Sequence, residues 1–138
     1  MANQIPEKII SKKDVDLIFG LKKDKWEDEW EKECEKFFAP GWTVRSGEHD
    51  TGKHVAAYNP STGVGLSIQP LYTNEHSLPE MVIVGSHFPV GVLAPMTEEI
   101  QKEMEAAAQQ DLGETYRVRL IYRRLENLES IELMLTKP

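Results

Sequence analysis

Four histidines, one cysteine and a short row of arginines are the side chains here with the most chemistry to offer. His49 and His54 flank Asp50-Thr51-Gly52-Lys53, which reads as a four-residue hairpin loop. On that reading the two imidazoles face each other across a strand pair, with Cβ atoms about 4.5–5.5 Å apart. With a carboxylate from Glu48 or Asp50 they form a weak candidate for a divalent cation site with an open position. A ligating ring needs a fixed hydrogen-bond partner on its other nitrogen, and a glycine-containing loop tip offers few. The pair is therefore read as two titrating histidines at a loop rim, and no metal or cofactor is expected.

His87 lies in Ser86-His87-Phe88-Pro89, directly after an apolar run, and His76 lies in the polar connection Leu71–Pro79. A loop leaving a core strand is a common place for functional side chains. Ser86 and His87 are sequence neighbours and point apart, so their adjacency makes no nucleophile and base. Arg117, Arg119 and Arg123 fall on one face of an alternating segment, followed by Arg124. Guanidinium groups in a row can clamp a carboxylate or phosphate bidentately. The plainer reading is a solvated face paired with acids such as Glu132. His87, Arg117, Arg119 and Arg123 are the candidate ligand-binding residues. No GxSxG, P-loop, GxGxxG or HExxH pattern occurs, and no catalytic residue is assigned.

The densest charge is acidic. Glu27, Asp28, Glu29, Glu31, Glu33 and Glu35 crowd nine positions that hold one base, Lys32. Phosphates repel such a segment, which excludes a helix-turn-helix reader there. Glu27, Asp28, Glu31 and Glu35 are instead the candidate partner-binding residues, suited to a protein with a basic surface.

Composition agrees. The 138 residues carry 16 basic and 23 acidic side chains, a net charge of −7, which argues against a protein that coats nucleic acid. One cysteine makes neither an internal disulfide nor a cysteine-based zinc site. Cys34 falls on an apolar stripe and reads as a buried thiol. Met1 to Lys13 has no apolar signal-like core, and no purely apolar run is longer than that of Met81 to Val84, far short of the ~20 residues that span a bilayer. A cytoplasmic protein without membrane contact is expected. One domain over 1–138 is expected, since a chain of this length buries roughly two-thirds of its unfolded surface.

The elements that must position these residues follow from periodicity. Ser11 and Asp14 resemble a capping box ahead of Val15, Ile18 and Phe19, with Gly20 as the stop. Asp24 and Glu27 suggest a second cap, and Trp26, Trp30, Cys34, Phe37 and Phe38 share one stripe of a helix of about 14 residues. Strands are expected around Val44, around Val55 and Ala57, and through Val64, Leu66 and Ile68, with Asn59 to Gly63 as a turn. Pro79 to Gly85 is expected as a strand buried on both faces. Thr97 caps a helix whose stripe is Ile100, Met104, Ala107 and Ala108, ending near Gly113. Tyr116, Val118, Leu120 and Tyr122 alternate as a strand. Residues 125–136 fit either a strand or a helix, and the strand is favoured as the partner of a hairpin.

The expected fold is α+β: an antiparallel sheet of about 5–6 strands, with an N-terminal helical pair and one later helix packed on one face. The expected function is non-covalent protein binding that neutralises or escorts a partner, with room for a homodimer. The alternatives are a small-molecule enzyme or ligand-binding domain built on the middle loops, and metal binding through the histidine pair.

Overall fold

A computed structural model describes residues 11–30, 43–49, 52–74, 76–93 and 95–138. Helix α1 spans Lys12–Phe19, and the Ser11 side chain accepts the Asp14 N–H at 3.2 Å, as the capping pattern requires. Val15, Ile18 and Phe19 are fully buried on its inner face. Its outer face is tied down by Asp16, which accepts from the Tyr116 hydroxyl and pairs with Lys12 at 3.0 Å.

The second helical segment departs from expectation at its start. A turn Lys23–Lys25 begins at Lys22, not Asp24, and runs into a π-helical turn Trp26–Trp30. The Asp24 carboxylate accepts its neighbour's N–H, that of Lys25, at 2.9 Å. Trp26 is 1% exposed, so the start of the predicted stripe is core. Cys34, Phe37, Phe38 and the Trp30 side chain lie outside the described residues.

Among the described residues six strands follow: β1 (Thr43–His49), β2 (Gly52–Tyr58), β3 (Gly65–Leu71), β4 (Met81–Pro89), β5 (Arg117–Arg124) and β6 (Leu128–Thr136). They form one antiparallel sheet in the order β1-β2-β3-β4-β6-β5. The β2–β3 turn is held by Asn59, whose Oδ1 accepts the Ser61 N–H and whose carbonyl accepts the Gly63 N–H. Gly63 has φ +76°, which a residue with a Cβ adopts at a cost. Residues 128–136 are a strand, the favoured reading.

β4 corrects the sequence reading. It does not stop at Gly85 but continues to Pro89, so His87 sits in the sheet and not in a loop. Its two faces also differ: Val82, Val84, Ser86 and Phe88 are buried, whereas Met81, Ile83, His87 and Pro89 are half-buried.

Helix α2 spans Glu98–Leu112, capped by Thr97, whose hydroxyl accepts the Ile100 N–H at 3.2 Å. Gly113 closes it with φ +73°. Ala107, placed on the buried stripe by spacing, is exposed, and the inward line is Met104, Ala108 and Leu112. Both helices and Trp26 pack on the inward set of strand side chains, which includes Val55, Ile68, Val82, Val84, Leu133 and Leu135. Met104 joins a second cluster with Phe88, Leu93 and Ile131. The described helices therefore cover one face of the sheet.

α2 also guards an edge. β5 ends the strand order, so among the described residues one side of its backbone has no strand partner. Gln109 accepts the Val118 N–H at 3.0 Å through Oε1, and Glu105 accepts the Leu120 N–H at 2.9 Å. Gln109 also donates to the carbonyls of Gly113 and Tyr116 at 2.8 and 2.7 Å. Among the described residues, no helix is long and apolar enough to cross a membrane.

Candidate functional site

The outward face of the sheet is built by alternation. If Leu66 and Ile68 point inward, Ser67 and Gln69 must point outward, and the register carries that choice across the sheet. One cross-strand row reads Tyr58, Gly65, His87, Ser130 and Arg123. The next reads Ala56, Ser67, Gly85, Glu132 and Ile121. Two further rows hold Gln69, Ile83, Met134 and Arg119, then Leu71, Met81, Thr136 and Arg117.

At the centre, Ser67 Oγ and His87 Nε2 share a hydrogen bond of 2.9 Å. Gly85, opposite Ser67 and two residues before His87, makes the contact geometrically open. A Cβ there would lie 2.8 Å from Ser67 Oγ and 3.0 Å from His87 Nε2. Gly65 faces His87 from β3, and its missing Cβ would lie 3.5 Å from the His87 Cβ. The ring thus lies over a floor of two glycines. Its burial holds the His87 pKa below the ordinary histidine value, with Glu132 opposing the shift. At neutral pH the imidazole is uncharged.

A serine hydroxyl on a neutral imidazole is the geometry of a nucleophile with its base. Acyl transfer also needs donors for an oxyanion. Ser67 sits mid-sheet with Ala56 on one side and Gly85 on the other, where the ladder occupies the backbone groups. The hydrogen bond therefore fixes the ring on the face.

Arg123 meets Glu132 at 3.3 Å, the pairing that the plain reading of the arginine row anticipates. Arg117 and Arg119 are exposed and make no ion pair among the described residues. Beside them, Ile83, Met81, Met134, Ile121 and Leu71 are all half-buried, although they lie on the face away from the helices. They form a contiguous apolar strip rimmed by charge.

The other candidates fall elsewhere. His49 lies opposite Gly52 and His54 opposite Gly47, so the two are diagonal and not opposed as the four-residue loop required. Among the described residues, no group of three His, Cys, Asp or Glu side chains could hold a metal ion. His76 is exposed in the turn after Thr73, where its N–H donates to Asn74. Glu27 is half-buried and pairs with Lys23 at 3.4 Å, Asp28 is exposed, and Glu31 and Glu35 lie outside the described residues. A shallow open depression of about 660 Å³ runs along the start of α2, lined by Thr97, Glu98, Glu99, Lys102, Glu103 and Ala106. It contains none of the predicted site residues.

The structure brings His87 and the arginine row onto one face. Sequence reasoning missed Ser67, Gly85 and the apolar strip between them and the arginines. The available signal was the alternation of β3, which puts Ser67 on the face opposite Leu66. No family model, no curated protein and no solved structure matches this chain.

Proposed function

We propose that this protein binds another protein non-covalently, neutralising or escorting it, and that the outward face of the sheet makes the contact. The observation that carries the reading is the strip Leu71, Met81, Ile83, Ile121 and Met134, half-buried on the side of the sheet that the described helices leave uncovered. The ring of His87, pinned by Ser67 beside the strip, adds a rigid polar landmark, and rigid anchors lose little entropy on binding.

Charge acts on two length scales. At low ionic strength the field of a chain at −7, with the acids of the 27–35 stretch, steers a partner that is basic overall. At contact distance the local charge of the docking face takes over. The Debye length, about 8 Å at physiological salt, separates the two regimes.

Affinity capture from the source organism identifies the partner, and the purified pair then tests the surface. Ile83→Asp and Met134→Asp should each weaken binding, whereas Leu17→Asp, on the exposed side of α1, should leave it intact. Equal binding by all three variants would remove the sheet face from the account. Glu31→Lys with Glu35→Lys should slow association at low salt without changing the fold.

A further inference from the structure

Resting on that docking reading, we infer that the partner segment seated on the outward face is acidic and amphipathic, covering Met81, Ile83 and Met134 while its carboxylates pair with Arg117 and Arg119. The local charge selects this occupant. Outward positions of β3 to β6 carry three arginines and one glutamate, in a chain whose net charge is −7. The face is thus opposite in sign to the rest of the molecule.

Glu132 already serves Arg123. Arg117 and Arg119 are exposed, have no ion pair among the described residues, and stand beside Thr136 and Met134. Same-face residues two apart on a strand are about 6.8 Å apart. That spacing suits carboxylates two apart on an extended segment or one turn apart on a helix. Each guanidinium can take a carboxylate in a fork of two hydrogen bonds.

A second copy of this chain fits poorly. A two-fold, face-to-face contact would set the arginine rows against another positive face, with Glu132 as the one acid among the outward positions of β3 to β6.

The test uses the full chain at physiological ionic strength and two synthetic amphipathic peptides. One is patterned from Leu and Glu, and the other has Lys in place of every Glu. Fluorescence anisotropy should report binding of the Leu/Glu peptide. It should weaken by at least about tenfold in the double variant Arg117→Glu, Arg119→Glu, since like charges meet at contact. Lys13→Glu with Lys102→Glu, the same change in net charge on exposed positions elsewhere, should leave it intact.

Equal or tighter binding of the Leu/Lys peptide, no binding of either, or equal loss in the control double would overturn the inference. So would a dimer that Ile83→Asp dissolves, or phosphatidylserine vesicles binding where the peptide does not. The Ile83→Asp variant separates the two levels. If the Leu/Lys peptide binds and Ile83→Asp abolishes it, the face still docks protein and only the acidic assignment falls. If peptide binding ignores Ile83→Asp, the docking reading falls with it.

Discussion

Ser67 on β3 and His87 on β4 meet over Gly85: Oγ and Nε2 are 2.9 Å apart, and a methyl group on Gly85 would lie within 3.0 Å of both. A serine, a histidine and a glycine on two strands thus form one unit at the centre of the outward face.

Gly85→Ala tests that unit. Its Cβ must displace Ser67 or His87, and overpacking of this kind costs about 1–3 kcal/mol. The ring moves toward solvent, so its pKa should rise toward the ordinary histidine value. Urea unfolding and an NMR titration of the imidazole read both effects. Unchanged stability and an unchanged titration would mean that the pair does not need the glycine.

The depressed pKa of His87 sets a pH dependence. Its folded-state pKa lies below the ordinary histidine value of 6.5 because burial disfavours the charged ring. In the window between the two values the unfolded chain binds the proton and the folded chain does not, so stability falls as pH drops below about 6.5. His87→Asn should flatten that slope. Urea midpoints on both sides of pH 6.5, in parent and variant, check it. A parent whose stability stays level across that range would contradict the shift.

Asp16 adds a second, lower window. Hydrogen bonds from Tyr116 first and Lys12 second hold its carboxyl below the ordinary aspartate value of 3.8. Its contribution is complete above that value and is lost as pH falls through the lower folded-state pKa. Tyr116→Phe should shrink this acid loss, measured as the change in stability with pH below 3.8. An identical acid limb in the variant would show that the hydroxyl does not set it.

The edge of β5 carries a different prediction. Gln109→Ala removes the acceptor of the Val118 N–H and two donated bonds at once. An unsatisfied, partly buried backbone group costs about 1–3 kcal/mol. An uncapped strand edge also invites pairing with another chain. Lower urea stability with concentration-dependent association on size exclusion is expected. A stable monomer would mean that the cap is dispensable.

Trp26→Ala should cost about 3–5 kcal/mol, as deleted core aromatics do, because the ring is 1% exposed within the main cluster. Urea unfolding measures the loss, and a cost below 1 kcal/mol, the size of a surface change, would place Trp26 outside the core.

Much of this fold was legible from local rules. Ser11 and Thr97 cap helices because a hydroxyl ahead of an apolar stripe satisfies orphan N–H groups. Residues 128–136 chose the strand because a hairpin from β5 places Leu133 and Leu135 on the core face. The site was less legible for a physical reason. Gly85 looked like the end of a strand, since glycine is a strand breaker by propensity, yet here it clears space for two side chains from separate strands. Only register brings Ser67 to His87, and register is a property of the two strands together. The same is true of His49 and His54, where two residues of loop length moved the pair from opposed to diagonal.

Methionine oxidation tests the central claim most directly. Met81 and Met134 lie on the outward face, while Met96 and Met104 pack in the cluster on the helix side. A thioether oxidises as it meets solvent oxidant. With the partner bound, Met81 and Met134 should oxidise more slowly and Met96 and Met104 at their free rates, read by peptide mass spectrometry. Unchanged rates at Met81 and Met134 in the saturated complex, or protection confined to Met96 and Met104, would contradict docking through the outward face of the sheet.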